Sequence, residues 1–478
     1  MTTLLHKSRV EIALGAIILF VALTLRPYID LSRGDFSYYL QAKSFAEFRL
    51  DIPIPNGVKA LSSDMAFKDG RYYSHYPPGA SLLLVPFYWT GHALDVILRG
   101  RLGSHRSDGW TVGRGAFVAT HLANLAFVAG LLLALRRLSG LLDLSASGTL
   151  FAAVLVIFVS PLWHQSGHLG TQLPSTMLTL AATALVLEAQ NKSWRKLALA
   201  GAAGGATLLI RPINVVILGL LGLYVLTKCR RHLVGAVMFA GPLLIGALLT
   251  LWFNAATFGD PFESGYLYDI DYGRQGRLKT VFVDNQNPFS LSFMEGFVGL
   301  TIGAISGDPP VGNRVRTMTL PSWTLPWDRI RGLFLLMPVI VFGVPGFRRW
   351  WRDGKRGEAI LLGGQLVVLL FVYSKYLFWY TNSHVPLPNR YLCEGYPGWC
   401  LAVAAYAEQT EGWKRLLLRW TTSWSVGVQA LVMLSLYVNY LTGINIVALE
   451  TYKVLALLLV ASTLAVWIYG RLSVEPPT

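Results

Sequence analysis

The chain is expected to fold as an all-α polytopic membrane protein: a bundle of about 12 transmembrane helices with interfacial helices in its first outer loop. Two observations support this expectation. Of 478 residues, 53% are hydrophobic and only 14% charged, against about 25% charged in an ordinary soluble chain. Apolar runs of about 20 residues, long enough to span a bilayer core as helices, recur from end to end.

The topology follows from the basic residues. The formal charge is +15, and Lys and Arg cluster in short segments between apolar runs, as the positive-inside rule requires. The clusters are Lys7/Arg9, Arg136/Arg137, Lys192/Arg195/Lys196, Lys228/Arg230/Arg231, Arg348 to Arg356, Lys414/Arg415/Arg419 and Arg471. This charge is assigned to the membrane and its anionic lipid, with no nucleic-acid partner. Spans are placed at 10–28, 113–135, 148–162, 173–190, 196–211, 212–227, 233–254, 331–347, 358–380, 395–407, 421–440 and 452–470, with both termini inside. The first run lacks a small-residue cleavage site and is read as a retained span. Span 148–162 is short and ends at Pro161.

Gly79–Leu98 is apolar enough to cross. If it crossed, Arg136/Arg137 would lie outside and every later sign would invert. Held on the outer side it keeps the basic loops inside, and Pro86, His92 and Asp95 suit a helix that lies in the interface or enters only partway. Residues 1–478 are then one integral membrane domain. Its outer mass lies in a first outer loop with juxtamembrane helices, 29–112, and a second large outer loop, 255–330, followed by the short segment 381–394. Cys229, Cys393 and Cys400 show no metal-binding spacing; if the last two share one helix, they stand about 10.5 Å apart along it, beyond disulfide reach.

Chemistry is expected in the outer segments. In SRGDFSYYLQAKSFAEFRLDIP (32–53), residues Tyr38, Tyr39, Ala42, Phe45, Ala46 and Arg49 follow helical spacing. Asp35 stands at the start of that helix, either as an N-cap or as a general base at the membrane boundary. In DMAFKDGRYYSHYPPG (64–79), Asp69-Gly70 centres a turn and Pro77-Pro78 stops regular structure and launches a helix. Arg71, Tyr72 and His75 converge on this corner, as interface anchors or as a phosphate or sugar site. Arg211, in RPIN, places a charge at the outer end of two spans. Such a residue is a site candidate, and its guanidinium can hold phosphate through two parallel hydrogen bonds. Asp260 and Glu263, then Arg390 and Glu394, mark two further outer boundaries.

Taken in order, Asp35 with its helix, GRYYSHYPPG, LLIRP, FNAATFGDPFESGY, RGLFLLMPVIVFGVPG and PNRYL resemble landmarks of the GT-C membrane glycosyltransferases. The same order occurs in bacterial relatives of the protein O-mannosyltransferases and of the lipid A aminoarabinose transferase. The likeness spans roughly residues 10–400. It implies an inverting transferase of a hexosyl or pentosyl group from a polyprenyl-phosphate donor to an envelope glycan, lipid or protein on the outer face of a bacterial inner membrane. It implies Asp35 as the base, and Arg71, Tyr72, His75, Arg211 and Arg390 around donor phosphate or sugar. Many relatives carry a second acid beside the first. Here Phe36 follows Asp35, leaving Asp64 or Asp69 as the alternative second acid. No tight D-x-D occurs in the first outer loop, so transfer without metal is expected, and no cofactor beyond the lipid-linked substrate.

Two other classes remain open. A lipid or sugar transporter requires acids in mid-span and broken helices, whereas Glu188 lies near a span end. An O-antigen ligase or polymerase would concentrate essential residues in 255–330 rather than around Asp35.

Overall fold

The computed structural model describes residues 2–25, 33–54, 64–107, 110–189, 193–228, 232–268, 293–301, 332–375 and 388–442. The expected span 452–470, Cys229 and most of the second large outer loop lie outside the described residues. Contacts divide the chain into two compact units: residues 1–146 with 165–287, and 147–164 with 288–478.

The first unit begins with α1 (Thr2–Thr24) and α2 (Arg33–Ala46). A β-hairpin follows, β1 (Met65–Lys68) and β2 (Arg71–Ser74), in the register Met65↔Ser74 to Lys68↔Arg71. Its turn residues Asp69 and Gly70 have φ of 50° and 77°, the two positive values that a tight two-residue hairpin needs. Ala66 and Tyr73 pack with Phe253 and Phe258 in a small core bordered by Phe45, Leu50 and Tyr268. Pro78 directly precedes α3 (Gly79–Ile97). A second hairpin, β3 (Ser104–Ser107) and β4 (Trp110–Gly113), leads into α4 (Arg114–Leu141).

Helices α7 (Gln172–Ala189), α8 (Trp194–Ile210), α9 (Val215–Lys228) and α10 (His232–Phe258) complete the unit. Helices α4 and α7 run in the same direction. Gly130 lies against the Met177 side chain, and Arg136 and Arg137 share a cavity with Glu188. Lys196 at the start of α8 pairs with Glu188 at 3.0 Å, and Arg136 pairs with Glu11 of α1 at 2.9 Å. One end of the unit therefore gathers the basic residues, and Arg211 lies at the other. Gly205 and Gly246 bring α8 and α10 into backbone contact; a Cβ on Gly246 would stand 2.3 Å from the Gly205 carbonyl oxygen.

Among the described residues, four helices can cross a membrane by length and composition: Gly79–Ile97, Arg114–Leu141, Leu233–Phe258 and Arg356–Tyr373. The two anchors of α3, however, both lie away from the basic end. Gly79 rests on the backbone of Leu209 and Ile210, where α8 finishes. Asp95 meets the amides of Gly115 and Ala116, where α4 starts.

The second unit holds α5 (Ala146–Val154), which runs into a π-helical turn at Leu155–Val159 and ends at Ser160, before Pro161. The short α6 (Leu162–Ser166) follows across the division of the units. Then come α11 (Phe293–Thr301), α12 (Leu333–Leu336), α13 (Gly343–Arg352), α14 (Arg356–Tyr373), α15 (Tyr396–Ala407) and α16 (Gly412–Thr442). The expected continuous span 331–347 is broken. Met337 adopts φ −136°, ψ 58° ahead of a 3-10 segment Pro338–Phe342. Pro338 disfavours helical geometry in the residue before it and supplies no amide. Gly346 meets the Ala402 carbonyl, and Trp424 Nε1 donates to Leu335 O at 2.9 Å. Cys393 and Cys400 are buried and not joined in a disulfide.

Candidate active site

The polar end of the first unit is built on α2. Asp35 is the third residue of this helix and not the residue preceding it; it is 2% exposed. Its Oδ2 lies 3.0 Å from His168 Nδ1. The turn carrying His168 is held by α4: Asn124 Nδ2 donates to Ser166 O at 2.9 Å and to His168 O at 3.0 Å.

One helical turn beyond Asp35, Tyr38 is buried and stacks on Tyr76 with ring centroids 4.3 Å apart. Burial pushes the Tyr38 phenol well above its ordinary pKa, partly offset by a hydrogen bond with Thr171; the phenol also feels the charges of Asp64, Arg211 and Asp35. The Tyr76 hydroxyl donates to Asp64 at 3.1 Å. Ser37 Oγ donates to Asp64 O at 2.7 Å and lies 2.9 Å from Ser74 Oγ. The α2 helix thus fixes the hairpin strand ends that carry Asp64 and Tyr76.

Arg211 is 7% exposed and extended, with φ −144° and ψ 94°, between the end of α8 and the 3-10 turn Pro212–Asn214. Pro212 accounts for this conformation by excluding the helical region at Arg211. Asn214 Nδ2 donates to Ser175 Oγ at 2.6 Å, which ties this break to the start of α7.

The remaining candidates are dispersed. His75 is buried, 4.0 Å from the Tyr76 ring and 4.7 Å from the Tyr266 ring. Tyr266 comes close because Gly265 is bare: a Cβ there would lie 2.5 Å from His75 Cα. Tyr72 faces Phe67 across the hairpin at 4.7 Å, and its carbonyl accepts Ile52 N at 2.7 Å. Arg71 is exposed, and its charge reaches Asp51, whose carboxyl is held below the usual range mainly by a hydrogen bond from Arg49. Asp69 is exposed at the hairpin tip. Arg390 lies in the second unit, half-buried, 5.2 Å over the Tyr391 ring.

A second cluster fastens the hairpin. Lys68 Nζ donates to the Phe258 carbonyl, to Tyr268 Oη at 2.8 Å and to Glu263 at 3.5 Å, while the Tyr268 hydroxyl donates to Glu263. Among the described residues no three His, Cys, Asp or Glu side chains converge in a way that would hold a metal ion.

His168 and Thr171 were not singled out from the sequence. Both belong to the short turn between spans 148–162 and 173–190, on the same expected side as Asp35. Two histidines, His164 and His168, in so short a polar turn were the available signal.

Chemically, the arrangement offers a buried carboxylate in a hydrogen bond to imidazole, a second carboxylate on a tyrosine hydroxyl, and a buried guanidinium at a helix break. Such a set can accept a proton and stabilise an anion.

No family model and no curated protein matches the chain. Among solved structures it is similar to ArnT from Cupriavidus metallidurans bound to undecaprenyl phosphate, at 14% identity and TM-score 0.46, covering 95% of this chain and 74% of that one. It is also similar to the Archaeoglobus fulgidus oligosaccharyltransferase in its apo form, at 12% identity and TM-score 0.44, covering 96% of this chain and 56% of that one. With an acceptor peptide tethered, the same archaeal enzyme aligns at 13% identity and TM-score 0.45, covering 96% of this chain and 55% of its own.

Proposed function

We propose that the protein is an inverting membrane glycosyltransferase. It moves a pentosyl or hexosyl group from a polyprenyl-phosphate donor to an acceptor hydroxyl on an envelope glycan, lipid or protein. The site faces outward from a bacterial inner membrane. The observation that carries this reading is the buried Asp35 carboxylate, hydrogen-bonded to His168 at the same end of the helices as the buried Arg211.

Asp35 takes the proton of the acceptor hydroxyl as its oxygen attacks the anomeric carbon. The bond from that carbon to the phosphate oxygen breaks, and the electron pair leaves with the polyprenyl phosphate. One displacement from the opposite face inverts the anomeric centre. Arg211 stabilises the charge growing on the leaving phosphate, and Asp64 is the second acid through its bond to Tyr76. Apolar helices beside a polar end suit a donor with a lipid tail and a charged head.

The test is transfer by purified Asp35→Asn protein from a panel of undecaprenyl-phosphate pentoses and hexoses to membrane-lipid and glycan acceptors. A neutral amide cannot act as the base, and loss of base catalysis costs about 10²–10⁴-fold. Lost turnover with unchanged thermal stability and donor binding supports the reading. Turnover near the wild-type rate removes Asp35 from the chemistry.

A further inference from the structure

We infer that His168 is a positioning residue for Asp35: its Nδ1–H fixes the plane of the carboxylate and keeps the charged form tolerable in a buried site. The inference rests on the reading of Asp35 as the base.

The geometry gives His168 this role in three steps. Asp35 is on a short side chain whose terminal torsion is broad and roughly two-fold, so burial alone does not fix where its second oxygen points. A hydrogen bond at 3.0 Å to Oδ2 fixes that torsion. An ionised carboxylate can only accept hydrogen bonds, which places the shared proton on Nδ1 and turns Nε2 to the far side of the ring. The ring itself is held: its backbone carbonyl accepts Asn124 Nδ2, and its amide donates to Gln165 O at 3.2 Å. The donor therefore comes from a turn anchored on α4 while the acceptor sits on α2. Tyr38, one turn along α2, feels the charges of Asp35, of Asp64 ahead of β1 and of Arg211 after α8. A charge-assisted N–H···O⁻ bond is stronger than a neutral one, and a buried charge without such a bond is costly.

The experiment compares two substitutions at one position. In His168→Asn the side-chain amide nitrogen falls close to where Nδ1 stands, so the donor is kept and the imidazole ring is lost. His168→Ala loses both. Transfer from undecaprenyl-phosphate sugars is expected to fall about 100-fold in kcat for Ala, the size of effect a small misplacement of a reacting group produces, with donor KM little changed. Asn is expected to restore kcat to within about tenfold of wild type. Asn as inactive as Ala overturns the inference, because the ring would then be exchanging the proton itself. Wild-type kcat in Ala overturns it as well.

A second readout does not depend on activity. Protein with ¹⁵N-labelled histidine in nanodiscs should show a downfield imidazole N–H proton that disappears in both His168→Ala and Asp35→Ala. If that resonance is missing from the wild type, the inference fails whatever the enzyme transfers. If the resonance is present and no sugar is transferred by the wild type, the proposed function fails and the pairing stands.

Discussion

Asp95, near the end of α3, accepts the amide of Gly115 on Oδ1 at 2.8 Å and that of Ala116 on Oδ2 at 2.9 Å. One carboxylate thus caps another helix from outside it, and its charge faces the positive end of the α4 dipole. The close fit requires glycine, since a Cβ at Gly113 would lie 2.2 Å from the carboxylate. Asp95→Ala is expected to cost about 1–2 kcal/mol, as cap removal does. Asp95→Asn, with one acceptor oxygen and no charge, should fall between Ala and wild type. Thermal unfolding in detergent measures both. Equal melting temperatures for Ala and wild type would remove the cap.

This cap also bears on topology. The ends of α3 contact the finish of α8 and the start of α4, while the basic ends of α4 and α8 gather elsewhere with Glu11 and Glu188. A helix of 19 residues is about 28 Å long and has the reach to cross, while its two anchors both lie away from the basic end. Ser104→Cys and Gly140→Cys report on opposite ends. Both positions are exposed, and a Cβ at Gly140 meets nothing within 4 Å. A membrane-impermeant maleimide added to intact cells should label residue 104 and miss residue 140. Labelling at 140 without permeabilisation would sink the outward orientation.

Features with local causes were readable from the sequence. The Asp69-Gly70 turn needs two positive φ values, and the dipeptide announces them. The break at Arg211 follows from Pro212, and the start of α3 from Pro77-Pro78. The split at Met337 has an equally local cause in Pro338, but the apolar run around it masked the proline. The site is different in kind. Asp35 and His168 are 133 residues apart, and nothing in local propensity or periodicity pairs two such positions. Long-range packing brings them together: α2 on α3 and the hairpin, α3 on α4, and α4 on α7, with Asn124 holding the 166–168 turn. Asp35 itself was legible as a helix-start acid, but its partner His168 was not.

The Lys68 clasp carries a pH signature. Hydrogen bonding to Tyr268 raises the Lys68 pKa, and burial raises that of Tyr268. Groups whose pKa rises on folding contribute stability that is complete below their unfolded values, about 10 for Tyr and 10.4 for Lys. That contribution is lost as pH climbs through the folded values. The docking of the hairpin should therefore be flat from pH 7 to about 9 and weaken above about 10. Lys68→Met should remove the lysine's share of the alkaline step, leaving that of Tyr268, and shorten the lifetime of the 259–268 segment under limited proteolysis. Proteolysis rates across that range, wild type beside Lys68→Met, decide it; matching curves would mean that the clasp does not hold the segment.

The last prediction concerns Arg211. Under the proposed function, this buried guanidinium in extended backbone, at the end of α8 and within electrostatic reach of Tyr38, meets an anion. If that anion is the donor phosphate, Arg211→Lys keeps the charge and loses the planar fork. Hydrogen bonds to charged groups contribute about 1.5–3 kcal/mol, so Lys should lower kcat/KM for the lipid-linked donor about tenfold and Ala about 100-fold. Inhibition by free undecaprenyl phosphate should weaken in the same order, because the leaving product presents the same phosphate. The backbone break itself is set by Pro212, so both variants should keep the fold, which thermal unfolding checks. Arg211→Ala protein that turns over at the wild-type rate, with unchanged inhibition by undecaprenyl phosphate, would move the phosphate site away from Arg211.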